Sequence, residues 1–427
     1  MEQDFLTSLR TAEVIAVGSE LLGPTRVDTN SLYIAEELGA VGIQLVAKMV
    51  VGDHLERIAD ACRGALARSD VVVLTGGLGP TDDDLTREAV ARVLGVPLVE
   101  DPAITRRIEA RFARRGLRMP EINRRQAQVL QGARSLDNQN GTAPGQFIEY
   151  RGKVVVLLPG PPRELQPMLR ALCAGVLGAR AGDERIYRAT LFVTGRSESH
   201  VDEAVQPIYA RWREAPVPIE TTILASPGQI ELHLSLRSRE AADGARLIRA
   251  ALDELEARLG EDVFSTDGRS MEQVVGDLLR ARGLTVAAAE SCTGGLLLSR
   301  LTDVPGSSAY VAGGAVVYSN ALKTGLAGVP AEVLAAHGAV SEPVAAALAE
   351  GIRDRTGSDV AIGITGIAGP GGGSVEKPVG MVAIGVLVRA DPVRIRTFHF
   401  VGGRAQIKFF ATQAALDMIR RALLAAN

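Results

Sequence analysis

The chain has few of the residues from which disulfide frameworks, metal centres and nucleic-acid-binding surfaces are usually built. Its three cysteines, Cys62, Cys173 and Cys292, lie too far apart for a disulfide framework or a cysteine metal site. The 47 basic and 50 acidic residues leave a net charge of −3, which argues against a general nucleic-acid-binding protein. We find no run of about 20 uncharged apolar residues and no apolar segment near the first residue. We therefore expect a soluble protein of the reducing cytoplasm.

Repeats and low-complexity segments are also absent, so the 427 residues are expected to form two or three ordinary globular domains. Continuous apolar runs such as 14–18 and 71–74 alternate with amphipathic stretches, which is typical of buried parallel strands and their crossover helices. We predict an α/β protein. A doubly wound domain would cover residues 1–182, a small α+β module residues 183–267, and a further α/β domain residues 268–427.

One cluster of positive charge interrupts the even distribution of charged residues. It consists of Arg106, Arg107, Arg111, Arg114 and Arg115. The spacing of these arginines favours a solvated helix face, and a local basic patch is the alternative interpretation.

Four segments near the C-terminus combine glycines, hydroxyls and lysines, and two of them directly follow apolar runs. They are 289–295 (Ala-Glu-Ser-Cys-Thr-Gly-Gly), 318–323 (Tyr-Ser-Asn-Ala-Leu-Lys), 365–373 (Thr-Gly-Ile-Ala-Gly-Pro-Gly-Gly-Gly) and 377–380 (Lys-Pro-Val-Gly). α/β proteins place small-molecule pockets at the carboxyl ends of their strands, and glycine lets the backbone approach a ligand closely. These segments therefore predict a ligand pocket, with Lys377 well placed for a phosphate.

Ser291 is a candidate nucleophile because it follows a predicted strand and precedes a possible helix start. Backbone N–H groups at such a start favour an anion or the oxyanion of an acyl-transfer intermediate, although Ser291 or Thr293 as a simple helix cap is the alternative. No histidine lies near a comparable glycine-rich segment, so Lys323 is the candidate proton acceptor, with a surface lysine as the alternative. Tyr318 is a candidate for stacking or hydrogen bonding, or a core residue at a strand end.

A second glycine turn is predicted near the N-terminus, at residues 75–84 (Thr-Gly-Gly-Leu-Gly-Pro-Thr-Asp-Asp-Asp). This layout presents backbone N–H groups to a phosphate. Carboxylates beside a phosphate repel it unless a divalent cation bridges them, and Mg²⁺ suits that role. The alternative is that the aspartates only complement the dipole of the following helix. The candidate phosphate-binding residues are Gly76, Gly77, Gly79 and Thr81, and the candidate metal ligands are Asp83 and Asp84.

The four C-terminal segments resemble, in order, the nicotinamide-nucleotide amidohydrolase domain of the CinA family, also called competence/damage-inducible protein. The resemblance implies hydrolysis of nicotinamide mononucleotide to nicotinate mononucleotide and ammonia, with no cofactor. It implies that Ser291 is the nucleophile, that Lys323 transfers protons and that Tyr318 contacts the substrate. The substrate-binding residues that it implies are Thr293, Gly294, Thr365, Gly366, Gly369, Gly371, Gly372 and Lys377.

The N-terminal half resembles the other domain of that family, which is related to the molybdopterin-binding fold. The matching segments are 76–86, 123–127 (Asn-Arg-Arg-Gln-Ala) and 141–145 (Gly-Thr-Ala-Pro-Gly). In some members this domain hydrolyses ADP-ribose with a divalent metal, so that activity is expected here, although Pro24 and Arg26 depart from the usual pattern. A molybdopterin-type binding module and a competence or DNA-repair adaptor are the alternatives. A homodimer is also expected.

Overall fold

The computed structural model describes residues 8–425, which form two compact units. Residues 1–7, where the sequence predicts no apolar segment, and residues 426–427 lie outside the described part. One unit ends at Tyr187 and also includes Leu236–Arg246, whereas the other consists of Arg188–Ser235 and the chain from Leu247 onward. Because this boundary runs through the segment 183–267, a separate middle module stays a prediction.

The first unit is an α/β structure built on a six-stranded sheet of order β2-β1-β3-β8-β7-β6. Its strands are β1 (Thr11–Val17), β2 (Gln44–Val51), β3 (Val71–Thr75), β4 (Leu98–Glu100), β5 (Gln128–Leu130), β6 (Arg134–Leu136), β7 (Gly145–Tyr150) and β8 (Lys153–Leu158). Its helices are α1 (Asn30–Ala40), α2 (Leu55–Arg68), α3 (Thr86–Leu94), α4 (Pro102–Ala113), α5 (Pro162–Leu172) and α6 (Gly178–Arg180). β1, β2, β3 and β8 are parallel to one another. β7 pairs in antiparallel orientation with both β8 and β6, and β4 pairs with β5 outside this sheet.

Both faces of this sheet are covered, which explains the continuous apolar runs in the sequence. In β3, Val72 and Leu74 face one hydrophobic cluster, which contains Ile58 of α2. The alternate residues Val71 and Val73 face a second cluster on the opposite side. Because successive strand residues point to opposite faces, every position of the run is buried.

The middle segment contributes a four-stranded sheet of order β10-β11-β9-β12. Its elements are β9 (Arg185–Val193), α7 (Glu198–Arg213), β10 (Ile219–Ser226), β11 (Gln229–Ser238), α8 (Ala241–Leu259) and β12 (Val263–Ser265). Alternate residues of β11 are buried, the pattern of a sheet with one face on a core.

The C-terminal part of the second unit contains a five-stranded sheet of order β14-β13-β15-β16-β17. Its strands are β13 (Val286–Glu290), β14 (Val311–Val316), β15 (Val360–Gly366), β16 (Met381–Val388) and β17 (Arg394–His399). Its helices are α9 (Met271–Arg282), α10 (Leu296–Thr302), α11 (Asn320–Gly325), α12 (Ala331–His337), α13 (Glu342–Thr356) and α14 (Arg404–Ala425). β13, β14 and β15 are parallel to one another, and β16 pairs in antiparallel orientation with both β15 and β17.

Small side chains let helices pack closely on this second sheet. In β13, Ala288 belongs to the core cluster that includes residues of α9 and α14, whereas Ala287 and Ala289 belong to the cluster that includes residues of α13. The α/β class predicted from the sequence is confirmed. Within residues 8–425, no helix is both long enough and apolar enough to cross a bilayer.

Candidate functional site

Three predicted segments of the C-terminal domain meet at one edge of its sheet. β13 lies between β14 and β15 and is parallel to both, with Glu290 opposite Val316 and Ile364. The backbone N–H of Ser291 donates to the carbonyl of Ile364 at 2.9 Å. The segments that begin at Ser291, Tyr318 and Thr365 therefore leave neighbouring strands at the same edge, as expected for a pocket at the carboxyl ends of strands.

Lys323 is buried, not a surface lysine. It lies in α11 with only 2% of its surface exposed, and its Nζ donates to the carbonyl oxygen of Tyr318 at 3.2 Å. Burial lowers the pKa of the Lys323 amine below its usual 10.5. Among the described residues no carboxylate pairs with this amine, so its charged form is poorly compensated. Such an amine is suited to accept a proton from a hydroxyl.

Cys292, next to Ser291, does not compete with it as a nucleophile, because its thiol stays neutral. Burial raises the pKa of the Cys292 thiol to about 12, even though the nearby Lys323 acts in the opposite direction. A thiol in this state is a poor nucleophile at neutral pH. Ser291, which is 7% exposed, is the candidate nucleophile that this turn presents.

Glu290 has a role that the sequence analysis missed. Its buried carboxylate accepts hydrogen bonds from the amides of Gly295 (3.0 Å), Leu297 (3.2 Å) and Leu298 (2.9 Å) at the start of α10. These amides, which were expected to face an anion from outside, are thus occupied by an internal one. The signal in the sequence was a single acidic residue that ends an alanine-rich strand.

Two amides of the same turn have only a weak acceptor. Within residues 8–425, the backbone N–H groups of Cys292 and Thr293 donate to no oxygen atom, and both interact with the thiol sulfur of Cys292. The Oγ1 of Thr293 is buried without a partner in the same part of the chain. Donors without a strong acceptor, directly after a serine at a strand end, are the arrangement that can stabilise a tetrahedral intermediate.

Tyr318 is exposed at the edge of the sheet and is held there by an arginine that the sequence analysis missed. Arg404, the first residue of α14, donates from Nη2 to the hydroxyl of Tyr318 at 3.0 Å. Its Nη1 donates to the carbonyl of Gly369 at 2.8 Å. One guanidinium therefore links the tyrosine to the glycine-rich loop. The 60% exposure of Tyr318 argues against the core-residue interpretation.

Lys408 is a second missed cation at this site. A Cβ added to Gly294 would lie 3.5 Å from the Nζ of Lys408, so the amine sits against the turn that follows Ser291. Lys408 is half-buried and forms no ion pair within the described chain. Arg404 and Lys408 are four residues apart and share one face of α14, a spacing that was visible in the sequence.

Among the remaining predicted binding residues, Lys377 and Thr365 donate hydrogen bonds to backbone carbonyls, and the glycines differ in exposure. The Nζ of Lys377 donates to the carbonyls of His337 (2.8 Å) and Val340 (2.7 Å), so this lysine anchors its loop. The buried hydroxyl of Thr365 donates to the carbonyl of Ala339 at 2.6 Å. Gly366 ends β15 and Gly369 is buried in the loop that follows, whereas Gly371 and Gly372 are exposed.

The N-terminal turn borders a cavity of about 710 Å³ at the carboxyl ends of β1, β3 and β8. All the predicted residues of this turn line it, namely Gly76, Gly77, Gly79, Thr81, Asp83 and Asp84. The segments that begin at Gly18 and Pro159 form other walls. The volume is in the range of cavities that hold nucleotide-sized ligands.

Within the turn, Asp84 binds the backbone. Its carboxylate accepts hydrogen bonds from the amide of Gly79 (2.7 Å), the amide of Thr81 (2.9 Å) and the hydroxyl of Thr81 (2.6 Å). Two of the amides expected to face a phosphate, those of Gly79 and Thr81, are thus satisfied by an internal carboxylate, as at Glu290. Asp83 is exposed and accepts none of these hydrogen bonds.

Three further side chains donate hydrogen bonds to carbonyl groups of the turn. Gly77 has a φ of +63°, and a Cβ there would collide with the Oγ1 of Thr86, which donates to the carbonyl of Gly76 at 2.8 Å. The buried guanidinium of Arg87 donates to the carbonyls of Leu78 (2.7 Å) and Gly79 (2.8 Å). Arg125 donates to the carbonyl of Thr81 at 2.9 Å. The glycine is therefore required by packing within the turn.

The charge of the cavity fits a cation-dependent anion site. Its acidic lining residues are Glu20, Asp28, Asp53, Asp83, Asp84 and Glu164, against the single cation Arg26. Within residues 8–425, no group of three or more His, Cys, Asp or Glu is arranged to hold a metal alone. Mg²⁺ needs only one or two carboxylates when phosphate oxygens and water complete its shell, so Asp83 fits as a ligand. Asp84, committed to the backbone, fits less well.

The fold and the sites together define a protein with two α/β domains. Each domain has polar side chains at the carboxyl ends of the parallel strands of its sheet. The family model described as "CinA C-terminal domain" matches residues 268–423, and that described as "Probable molybdopterin binding domain" matches residues 13–179. The chain belongs to the CinA family of competence/damage-inducible proteins, as the sequence motifs predict.

The relatives match along nearly the full length of the chain. A CinA-like protein from Koribacter versatilis is 47% identical over 419 residues, covering 97% of this chain and 100% of the relative. A CinA-like protein from Acidobacterium capsulatum is 46% identical over 426 residues, with coverages of 97% and 100%. Among solved structures, the competence/damage inducible protein CihA from Agrobacterium tumefaciens is 38% identical and covers 36% of this chain and 97% of that chain, with a TM-score of 0.35.

Proposed function

We propose that the C-terminal domain hydrolyses the carboxamide of nicotinamide mononucleotide, giving nicotinate mononucleotide and ammonia. The observation that carries this proposal is the buried Lys323, whose amine has a lowered pKa and lies at the strand edge that presents Ser291. A serine and a neutral lysine form a known pair for amide hydrolysis.

In the first step the Oγ of Ser291 attacks the carboxamide carbon while Lys323 takes the hydroxyl proton. The amides of Cys292 and Thr293 stabilise the oxyanion. When the C–N bond breaks, the ammonium of Lys323 returns the proton to the leaving nitrogen, and ammonia departs from a nicotinoyl ester on Ser291. Water then attacks this ester, with Lys323 again as the base, and the acid and free Ser291 result.

Binding of the nucleotide is assigned to the cations of α14. Lys408, against the turn after Ser291, faces the phosphate, and Arg404 holds Tyr318 against the nicotinamide or ribose. The loop that contains Gly369 and Gly371, anchored by Lys377, borders the substrate. Lys377 supports the loop through its hydrogen bonds to the carbonyls of His337 and Val340.

The test is ammonia release from nicotinamide mononucleotide by Ser291→Ala. Ser299→Ala is the matched control, because Ser299 is an exposed serine of the neighbouring helix α10. We expect release to fall by roughly 10³-fold or more in Ser291→Ala and to stay unchanged in the control. Equal activity of the two variants would exclude Ser291 as the nucleophile.

We further propose that the N-terminal domain hydrolyses ADP-ribose to AMP and ribose 5-phosphate with Mg²⁺. The supporting observation is the acidic lining of its nucleotide-sized cavity, which would repel a diphosphate in the absence of a cation. Mg²⁺ would neutralise the phosphate oxygens, while Asp83 holds the ion and Asp84 keeps the turn in shape. We expect the protein to release AMP from ADP-ribose in the presence of Mg²⁺, and we expect Asp83→Asn to abolish this release. Binding of a molybdopterin without release of AMP from ADP-ribose would instead favour a binding module.

Both reactions act on products of NAD breakdown, so a role in pyridine-nucleotide recycling is coherent. We also propose a homodimer, which light scattering of the purified protein tests. An adaptor in competence or DNA repair is the competing function. Full complementation of a deletion strain by a Ser291 and Asp83 double variant would favour the adaptor.

A further inference from the structure

A second, smaller cavity of about 270 Å³ lies beside the acidic cavity of the N-terminal domain. Three arginines of one helix face line it: Arg107, Arg111 and Arg114, which are four and three residues apart in and just after α4. Its other walls come from Ile108, from residues 137–139, and from Gly141 and Thr142. Thr142 lines both cavities, so the two adjoin.

The charge of this smaller cavity is strongly positive. Three guanidinium groups face a single carboxylate, that of Asp137, which pairs with the Nη1 of Arg107. The Nη1 of Arg111 donates to the carbonyl of Gln139 at 3.0 Å. The side chain of Arg114 has no acceptor within residues 8–425. Two of the three positive charges are therefore uncompensated.

The guanidinium groups of Arg111 and Arg114 are the donors that a ligand in this cavity would meet. The Nη2 of Arg107 is buried without a partner within residues 8–425, so it does not open into the cavity. Arginine clusters of this kind match the planar, two-pronged geometry of phosphate oxygens.

From these features we propose that the cavity between Arg107, Arg111 and Arg114 binds a phosphoryl group. The site is separate from the glycine turn, where Asp84 accepts from the amides of Gly79 and Thr81, and from Asp83, the proposed metal ligand. It goes beyond the proposed hydrolysis of ADP-ribose, which does not require it. The group is either inorganic phosphate or the phosphate monoester of a ligand that extends past Thr142 into the acidic cavity.

The test is calorimetric titration of the full-length protein with inorganic phosphate, AMP and ribose 5-phosphate, at constant ionic strength and with EDTA. The test variant is Arg111→Gln with Arg114→Gln. The matched control is Arg106→Gln with Arg115→Gln, which removes the same charge from two arginines of the same segment that do not line the cavity. Circular dichroism verifies folding, and Arg114→Gln alone, at an exposed residue, serves if the double variant fails to fold.

We expect saturable phosphate binding that weakens at least about tenfold in the test variant and less than about twofold in the control. Tighter binding of AMP or ribose 5-phosphate than of inorganic phosphate identifies a ligand that spans both cavities, and equal binding identifies free phosphate. The proposal is overturned if no saturable binding occurs up to about 10 mM phosphate, or if both variants weaken it equally.

Discussion

Replacement of Glu290 by glutamine should destabilise the C-terminal domain although the side chain keeps its size. The carboxylate uses Oε2 for the amides of Gly295 and Leu297 and Oε1 for that of Leu298. Glutamine has one acceptor oxygen, so in either orientation its NH₂ group faces at least one backbone N–H. At least one buried amide then loses its acceptor, and the others lose a charged partner.

The magnitude follows from these contacts. An unsatisfied buried donor costs about 1–3 kcal/mol, and hydrogen bonds to a charged group are about twice as strong as neutral ones. We therefore expect Glu290→Gln to lower the free energy of unfolding by about 2–4 kcal/mol. For a domain of this size that corresponds to a fall in Tm of roughly 5–15 °C. Because Ser291 is the next residue, deamidation should also fall by on the order of 10²-fold.

Differential scanning calorimetry of the full-length protein measures this effect. Glu350→Gln is the matched control, since it removes the same charge from an exposed glutamate of α13 and should change stability by less than about 0.5 kcal/mol. If Glu290→Gln melts at the same temperature as Glu350→Gln, the carboxylate does not hold the turn and the reasoning fails.

Three further predictions concern the proposed sites. Lys323→Met should reduce deamidation by roughly 10³-fold or more. Burial lowers the pKa of Lys323 in the folded state, so its charged form destabilises the fold. The methionine variant should therefore have the larger free energy of unfolding at pH 7. The difference between the two proteins should shrink as the pH rises to 10.5. Lys408→Gln should raise KM about tenfold for nicotinamide mononucleotide but not for nicotinamide riboside, which lacks the phosphate; equal changes would contradict the phosphate contact. EDTA should abolish AMP release from ADP-ribose and leave ammonia release unchanged, and Asp83→Asn should do the same without a change in Tm.

Much of the α/β fold could be predicted because its signals are local. Runs such as 71–74 are apolar at every position since both faces of their sheet are covered, and that pattern is written in consecutive residues. The positions of Ser291 and Thr365 could also be predicted, because strand ends in a parallel sheet share an edge.

The partners of the glycine turns could not be predicted in the same way. The sequence indicates that amides face an anion, but not whether that anion is a ligand or a nearby carboxylate such as Asp84 or Glu290. Arg404 and Lys408 were missed because they lie more than 100 residues after Ser291, and only the packing of α14 brings them to the site. The carbonyl acceptors of Lys377 could not be predicted for the same reason, since they come from a distant loop.

The most direct test of the central claim is a product analysis of the pure, full-length protein with nicotinamide mononucleotide in the presence of EDTA. The proposed chemistry predicts ammonia and nicotinate mononucleotide in equal amounts. No ammonia, or release of nicotinamide by cleavage of the glycosidic bond, would contradict it.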